Sequence, residues 1–350
     1  MKRSRHIRLL TLVCMTMGAV AAQGQEWKTL LDFKGTWKIE LGDNPRWADP
    51  RFNDSKWDNI EVPAPWEDEG FPGYDGYAWY RKHFTADRSL KDRVVYLRVG
   101  TVDDVSEVYL NGHMIGFQGE FPPHFNTAYD VPGQYPVPPQ YLNFSGDNVV
   151  AVRVFDQMQE GGITHGPVGL FEPRNYLLPD CNLAGTWKFT TGDDDSWKDV
   201  STDDSKWADV IVPAYWEGQG YRDYDGFGWY RLKFRVPDNL IGQRLILLVG
   251  KVDDVDETYV NGKLVGKTGR MRKGMTRNDV SDEWTRLRAY VMPNDLLVAG
   301  RDNVIAVRVN DVYLHGGIYD GPIGLVTRER YLKWEKINEG APWNIFDWFR

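Results

Sequence analysis

The chain has 350 residues, a formal net charge of −8, and 15 Trp, 18 Tyr and 15 Phe. This aromatic content excludes a disordered polar chain, and the acidic balance argues against nucleic acid or an anionic membrane as the main partner. At about 150 residues per domain, the length favours two domains, each large enough to bury a core.

The N-terminus has the layout of an export signal. Met1 to Arg8 is basic, and Leu9 to Ala22 is apolar and small, which predicts a secretory signal peptide over residues 1–24 that is too short to span a membrane comfortably. Without it the chain has 38 basic and 50 acidic residues, a net charge of −12. We expect an exported protein, periplasmic or extracellular, with Cys181 as its single cysteine.

The rest of the chain is dominated by an internal repeat. The segment Val62 to Arg81 returns as Val212 to Arg231 with 12 of 20 positions identical, at an offset of 150 that becomes 155 after Gly266. A period this long indicates a duplicated domain. We predict one copy over residues 26–176, a second over 180–332, and an aromatic-rich C-terminal tail over 333–350.

Each copy has the pattern of a β domain. Short β-branched runs bounded by Gly, Asp or Asn, such as Arg93 to Val99 and Val149 to Phe155, predict strands. The Asn111-Gly112 and Asn261-Gly262 pairs predict hairpin turns. We therefore expect an all-β chain made of two tandem, jelly-roll-like antiparallel β-sandwiches.

A further set of repeated motifs carries a family resemblance. They are Trp79-Tyr80-Arg81, the block from Val102-Asp103-Asp104 to Asn111-Gly112, Asp147-Asn148-Val149 with Arg153, and Gly161-Gly162-Ile163. With these motifs each copy resembles the galactose-binding-like sandwich that is the sugar-binding domain of glycoside hydrolase family 2. The block from Pro63 to Arg81 is also similar to the accessory sandwich of sialate O-acetylesterases.

The resemblance implies a carbohydrate-related role but not a particular activity. Family 2 enzymes carry their catalytic carboxylates on a separate barrel, which needs about 250 residues, whereas 18 residues follow Leu332. The chain also lacks the Gly-x-Ser-x-Gly elbow of an esterase serine. We expect a secreted carbohydrate-binding or accessory protein without its own catalytic domain. The alternatives are a hydrolase by family membership, either glycosidase or carbohydrate esterase, and a structural docking partner of an exported glycan-degrading enzyme.

Strand alternation predicts a polar-aromatic surface on the side of the sheet opposite the core. Tyr80 and Phe84 would face the core, and their strand neighbours the other side. Aromatic rings stack on sugars and planar polar groups bind hydroxyls, so the surface is a candidate for carbohydrate binding. Cross-strand Arg–Glu pairing under an aromatic lid is the competing interpretation, which we favour. The residues of this candidate surface are Trp79, Arg81, Glu107, Tyr109 and Arg153, with Trp229, Arg231, Glu257 and Arg308 in the second copy.

Loops at one end of a sandwich are equal candidates, because binding residues concentrate in loops. Trp66 and Trp216 are the first choice for a platform, meaning a ring on which a sugar stacks, and Trp79 and Trp229 the second. The alternative is core plugging, meaning that these rings are buried in the core beneath a long loop. The ligand would be a neutral glycan or oligosaccharide. The loop candidates are Trp66, Glu67, Tyr74 and Asp75, with Trp216, Glu217, Tyr224 and Asp225.

Adjacent aspartates occur at Asp103-Asp104 and Asp253-Asp254. Neighbours on a strand point to opposite faces, so we expect each pair to anchor a loop or meet an Arg rather than to act as a carboxylate dyad. The acidic runs Asp193 to Asp195 and Asp203-Asp204 would be the place for a structural Ca²⁺, but they lack a defined loop spacing and solvated turns are favoured. The sequence predicts no other cofactor and no metal-ligand set.

Overall fold

The computed structural model describes residues 26–338, so the predicted signal peptide and most of the predicted tail lie outside the described residues. The first copy has ten strands: β1 (Trp27–Asp32), β2 (Gly35–Leu41), β3 (Asp58–Val62), β4 (Gly76–Thr85), β5 (Tyr96–Asp103), β6 (Val105–Leu110), β7 (His113–Gln118), β8 (Pro132–Pro136), β9 (Asp147–Asp156) and β10 (Gly162–Pro173).

The second copy repeats this order and ends in a helix. Its elements are β11 (Cys181–Asn182), β12 (Gly185–Thr191), β13 (Ala208–Val212), β14 (Gly226–Phe234), β15 (Leu245–Asp253), β16 (Val255–Val260), β17 (Lys263–Thr268), β18 (Leu287–Val291), β19 (Asn303–Asp311), β20 (Gly317–Thr327) and α1 (Arg328–Ile337). Within residues 26–338, no helix is long and apolar enough to cross a membrane.

Each copy is a sandwich of two antiparallel sheets. In the first copy a six-stranded sheet has the order β3-β2-β4-β9-β6-β7 and a four-stranded sheet the order β1-β10-β5-β8. The second copy has the matching orders β13-β12-β14-β19-β16-β17 and β11-β20-β15-β18. The all-β prediction with two tandem sandwiches is confirmed.

The strand alternation places side chains as the sequence predicts. In β4, Tyr80 lies in the core between the sheets, and Trp79 lies in a separate cluster on the other face. Val152 of β9 pairs with Tyr80 in register, and Arg153 pairs with Trp79. The core of the second copy is built in the same way around Tyr230. These registers fix which side chains face away from each core.

The outer face of each six-stranded sheet is covered by a second apolar layer. In the first copy, the covering loop between β2 and β3 lays Trp47 and Trp57 over Trp79. In the second, the corresponding loop lays Trp197 and Trp207 near Trp229. The face that the sequence marks as non-core is therefore enclosed beneath a loop, and burial of these large rings stabilises the loop on the sheet.

The two copies contact each other directly. The Arg222 guanidinium lies 3.5 Å from a carboxylate oxygen of Glu107. Across the same junction, the Tyr313 hydroxyl donates to Glu120 at 2.6 Å, and the Tyr96 hydroxyl to Asp320 at 2.6 Å. These polar contacts join the second copy to β5, β6 and the segment after β7 of the first.

Helix α1 packs on the outer side of the second four-stranded sheet. Tyr331 is buried against Ile246 and Val326, and the Trp334 indole donates to the Asn175 carbonyl at 2.7 Å. The helix thus covers apolar side chains of β15 and β20 and contacts the segment that joins the copies.

Candidate functional site

The predicted surface residue Arg81 anchors the covering loop. It is fully buried, and its guanidinium donates to the Asp54 carboxylate at 2.7 Å and to the carbonyls of Trp47 and Asp49. In the second copy, Arg231 makes the same contacts to Asp204 and to two carbonyls of its loop. Because every one of these bonds is internal, Arg81 and Arg231 have a structural role here.

The four tryptophans predicted as platforms have no accessible face. Trp66, Trp79, Trp216 and Trp229 are each 0% exposed. The Trp66 indole donates to Glu67 at 2.7 Å and to the Tyr74 carbonyl at 3.1 Å, and a Cβ at Gly161 would overlap its ring. These rings fit the core-plugging alternative, and their close approach explains the glycines Gly161 and Gly316, just before β10 and β20.

The remaining candidates on the strands form cross-strand ion pairs. Arg153 pairs with Asp43 at 2.6 Å and with Glu107 at 3.3 Å, and the Tyr109 hydroxyl donates to the same glutamate. The second copy repeats this with Arg308, which pairs with Asp193 at 2.7 Å and Glu257 at 2.9 Å. This arrangement matches the pairing alternative of the sequence analysis.

The other loop candidates differ in exposure. Glu67, Tyr74 and Tyr224 are half-buried, whereas Asp75 and Asp225 are exposed. Glu217 is buried, accepts from the Gly316 amide at 3.0 Å, and has its pKa raised to about 9 by burial. The aromatic residues predicted in these loops are buried or half-buried in both copies, so none of them offers an exposed ring beside the polar groups.

The adjacent aspartates lie closer together than the sequence predicts. The carboxylates of Asp103, Asp104 and Asp156 have oxygens that all lie within 4.8 Å of one another. The expectation that Asp103 and Asp104 point to opposite faces is wrong, because Asp103 ends β5 and β6 begins at Val105, so the pair turns a corner where strand alternation no longer applies. We call this group the first acidic triad.

The second copy has an equivalent group, which we call the second acidic triad. It comprises Asp253, Asp254 and Asp311, again with oxygens within 4.8 Å of one another. Burial and the neighbouring carboxylates raise the pKa of Asp253 well above its usual value and that of Asp311 to about 8. In the first triad the pKa values of Asp103 and Asp156 are raised to about 7 for the same reasons.

The acidic runs suggested for Ca²⁺ are engaged in turns and ion pairs. Asp194 accepts from the Ser196 amide, and Asp203 from the Ser205 amide. Asp204 pairs with Lys233 at 2.8 Å as well as with Arg231. The oxygens of Asp194 and Asp203 cap turns, and Asp204 is buried in ion pairs rather than solvated.

A cleft of about 580 Å³ lies between the two copies. Its aromatic wall includes Trp284, which is 45% exposed. Clefts of this size at domain junctions, with mixed aromatic and polar linings, are where small ligands usually bind. We call it the inter-repeat cleft; its lining includes Phe117, Glu120, Tyr215, Lys251, Asp253, Asp254, Arg277, Trp284, Tyr313, His315, Tyr319 and Asp320.

Hydrogen bonds and ion pairs fix the polar groups of the inter-repeat cleft. The Arg277 guanidinium lies 4.5 Å from the centre of the Tyr313 ring, whose hydroxyl donates to Glu120. Lys251 and Asp320 form an ion pair at 2.9 Å. The cleft therefore presents cationic hydrogen-bond donors and anionic hydrogen-bond acceptors beside flat aromatic rings.

His315 is held neutral at the bottom of this junction. Its ring stacks on Phe117 and lies edge-on to Tyr215. Burial and the nearby Arg222 cation lower its pKa to about 3. The imidazole thus contributes an uncharged ring to the contact between the copies.

None of the seventeen residues predicted for the strand surface and the loops lines the inter-repeat cleft. The predicted site residues are ones that both copies share, whereas several aromatic residues of the cleft occur in one copy alone. Tyr215 stands opposite Pro65 in the repeat alignment, Tyr319 opposite Thr164, and Phe117 opposite Lys267. Trp284 lies in the region of the five-residue insertion. Unshared aromatic residues were the signal that could have located the cleft.

Comparisons with known proteins agree with the sandwich architecture. Residues 41–160 match the family model described as the β-galactosidase second all-beta domain. The β-galactosidase BoGH2A of Bacteroides ovatus is 29% identical over 161 residues, which are 42% of this chain and 17% of that protein. A putative β-glucuronidase of Formosa agariphila is 27% identical over 177 residues, 47% of this chain and 16% of that protein.

Among solved structures, a β-glucuronidase of Bacteroides uniformis aligns over 82% of this chain and 28% of its own, at 17% identity and a TM-score of 0.36. The chain thus spans less than a fifth of the length of those two curated relatives. The matches support a sandwich domain of the glycoside hydrolase family 2 type in this chain.

Proposed function

We propose that this protein is an exported, non-catalytic accessory protein that binds oligosaccharide in the inter-repeat cleft. The observation that carries the proposal is the half-exposed Trp284 ring in a cleft that also holds the Arg277 guanidinium and the Glu120 carboxylate. A pyranose offers an apolar face for the ring and hydroxyls for the polar groups.

The names of the relatives support a carbohydrate ligand. The matched proteins of Bacteroides ovatus and Formosa agariphila are a β-galactosidase and a putative β-glucuronidase. By this proposal the protein assists an exported glycan-degrading enzyme of family 2 or sialate O-acetylesterase type, by holding the same glycan. A protein that only docked onto such an enzyme, the alternative role, would not need to bind a sugar in the cleft.

A glycosidase is the second candidate, and one observation favours it. Asp253 and Asp254 line the cleft as a pair of carboxylates with oxygens within 4.8 Å of each other, and paired carboxylates are the groups that glycosidases use. We place binding first because Asp254 is buried and accepts from the Val312 amide at 3.1 Å, which leaves it poorly placed to attack a sugar.

Titration calorimetry with galactose- and glucuronic-acid-containing oligosaccharides tests the proposal. The Trp284→Ala variant should lose about 1–3 kcal/mol of binding free energy, roughly a 5-fold to 150-fold loss of affinity, since one large apolar contact is removed. Leu264→Ala is the matched control, because Leu264 is 50% exposed and does not line the cleft. Absence of binding in the unaltered protein, or equal affinity in Trp284→Ala, would contradict the proposal.

A further inference from the structure

The two acidic triads occupy corresponding corners of the two sandwiches. In the first, Asp103 ends a strand of the four-stranded sheet, and Asp156 ends a strand of the six-stranded sheet. Asp104 lies at the turn between β5 and β6. Three carboxylates from both layers of the sandwich thus meet at one point, and the second triad repeats this with Asp253, Asp254 and Asp311.

The triads differ from the other buried aspartates in lacking a cationic partner. Asp54 pairs with Arg81 at 2.7 Å, Asp204 with Arg231 at 3.1 Å and Asp256 with Arg288 at 2.9 Å. Between residues 26 and 338, no Lys, Arg or His side chain forms an ion pair with any of the six triad carboxylates. Arg288 approaches the second triad but donates to the Asp254 carbonyl and to the Asp256 carboxylate.

One oxygen in each triad is also left without any hydrogen bond. Asp156 is 0% and Asp311 1% exposed, and the Oδ2 atom of each is buried without a partner. Their Oδ1 atoms accept from the amides of Met158 and Tyr313, which fixes the orientation of both carboxylates. An orphaned carboxylate oxygen in the protein interior is costly unless a cation or a proton satisfies it.

We propose that each acidic triad binds one divalent cation of the Ca²⁺ type. The donor set contains only carboxylate oxygens, which suit a hard cation rather than zinc or copper. Ca²⁺ binds oxygens at about 2.3–2.6 Å, so two oxygens on one ion can be at most about 5 Å apart, which the 4.8 Å limit of each triad satisfies. Mg²⁺ demands near-ideal octahedral geometry and loses its water reluctantly, so an all-carboxylate protein group suits it less well.

Solvent can reach both sites and complete the coordination. Asp103, Asp104 and Asp253 are half-buried, and Asp253 and Asp254 line the inter-repeat cleft. Ca²⁺ takes 6–8 oxygen ligands, so three carboxylates leave positions for water. An ion bound there would link the two sheets of each sandwich at one corner, so its removal would lower the free energy of unfolding.

Calcium binding by the full chain tests this inference. After treatment with a chelator, equilibrium dialysis at pH 7.5 should give two bound Ca²⁺ per chain, and added Ca²⁺ should raise the melting temperature more than equal Mg²⁺. Asp156→Asn and Asp311→Asn should each reduce the stoichiometry to one, and the double variant should bind none and lose the Ca²⁺-dependent shift. Asp195→Asn, at an exposed acid, should retain two.

The double variant should fold, because Asn keeps the Oδ1 acceptor and removes one of three crowded charges, so its melting temperature without Ca²⁺ should equal or exceed that of the unaltered chain. If protons rather than cations satisfy the triads, the unaltered protein will show no Ca²⁺-dependent shift, and this overturns the inference even where a variant does not fold. Unchanged Ca²⁺ stoichiometry in the double variant, or an equal effect of Mg²⁺, would also overturn it.

Discussion

The junction between the copies should be sensitive to acid through His315. Its pKa is lowered from the usual value near 6.5 to about 3, because the ring is enclosed against Phe117 and lies near Arg222. The unfolded chain therefore binds a proton below pH 6.5 that the folded chain excludes. The contribution of the neutral His315 ring to the unfolding free energy is therefore fully present above pH 6.5 and is lost as the pH falls towards 3.

The size of the effect follows from the shift. Between pH 7 and pH 5, a pKa that drops from about 6.5 to about 3 on folding removes about 2 kcal/mol of unfolding free energy. The His315→Phe variant keeps an aromatic ring against Phe117 but has no proton to gain. It should lack this part of the pH dependence. The difference in unfolding free energy between the variant and the unaltered protein should therefore change by about 2 kcal/mol between pH 7 and pH 5.

Urea unfolding of both proteins at pH 7 and pH 5 measures this difference. His124→Gln serves as the control, because His124 is exposed and should leave the pH dependence unchanged. If the unaltered protein and His315→Phe lose the same free energy between the two pH values, the enclosed, neutral imidazole at the junction is refuted.

Three further predictions concern the cores, the domain boundaries and catalysis. Trp66→Ala should destabilise the first copy by about 3–5 kcal/mol in urea unfolding, because the indole is fully buried; a loss below about 1 kcal/mol would place the ring on the surface. Residues 26–176 expressed alone should show one cooperative β-type unfolding transition, and a molten product would indicate a core shared by both copies. Purified protein should release no aglycone from aryl glycosides; turnover that disappears in Asp253→Asn would instead favour the glycosidase candidate.

Much of the fold could be predicted from the sequence because its signals are local. The period-2 pattern around Tyr80 and Val152 gives the correct faces of β4 and β9, and the repeat indicates two sandwiches. The covering loops were missed because Trp47 and Trp57 lie in irregular segments, where no periodicity shows that they pack over a sheet. Helix α1, at ten residues, is too short to give a clear helical stripe.

The candidate site was harder to predict for a physical reason. Repeated residues such as Trp66 and Arg81 recur because both copies need the same core plug and the same loop anchor. The inter-repeat cleft exists once, and several of its aromatic residues have no aromatic counterpart in the other copy; Phe117 of the first copy meets Tyr215 of the second only across the junction. The acidic triads escape prediction because strand alternation does not hold across the turns at Asp103-Asp104 and Asp253-Asp254.

The central claim is that a glycan binds between the copies, and a crystal structure of the protein with a bound oligosaccharide tests it most directly. The account predicts a sugar ring against Trp284, with its hydroxyls within hydrogen-bond distance of Arg277 or Glu120. An oligosaccharide bound on another surface, with the inter-repeat cleft free of sugar, would contradict the account.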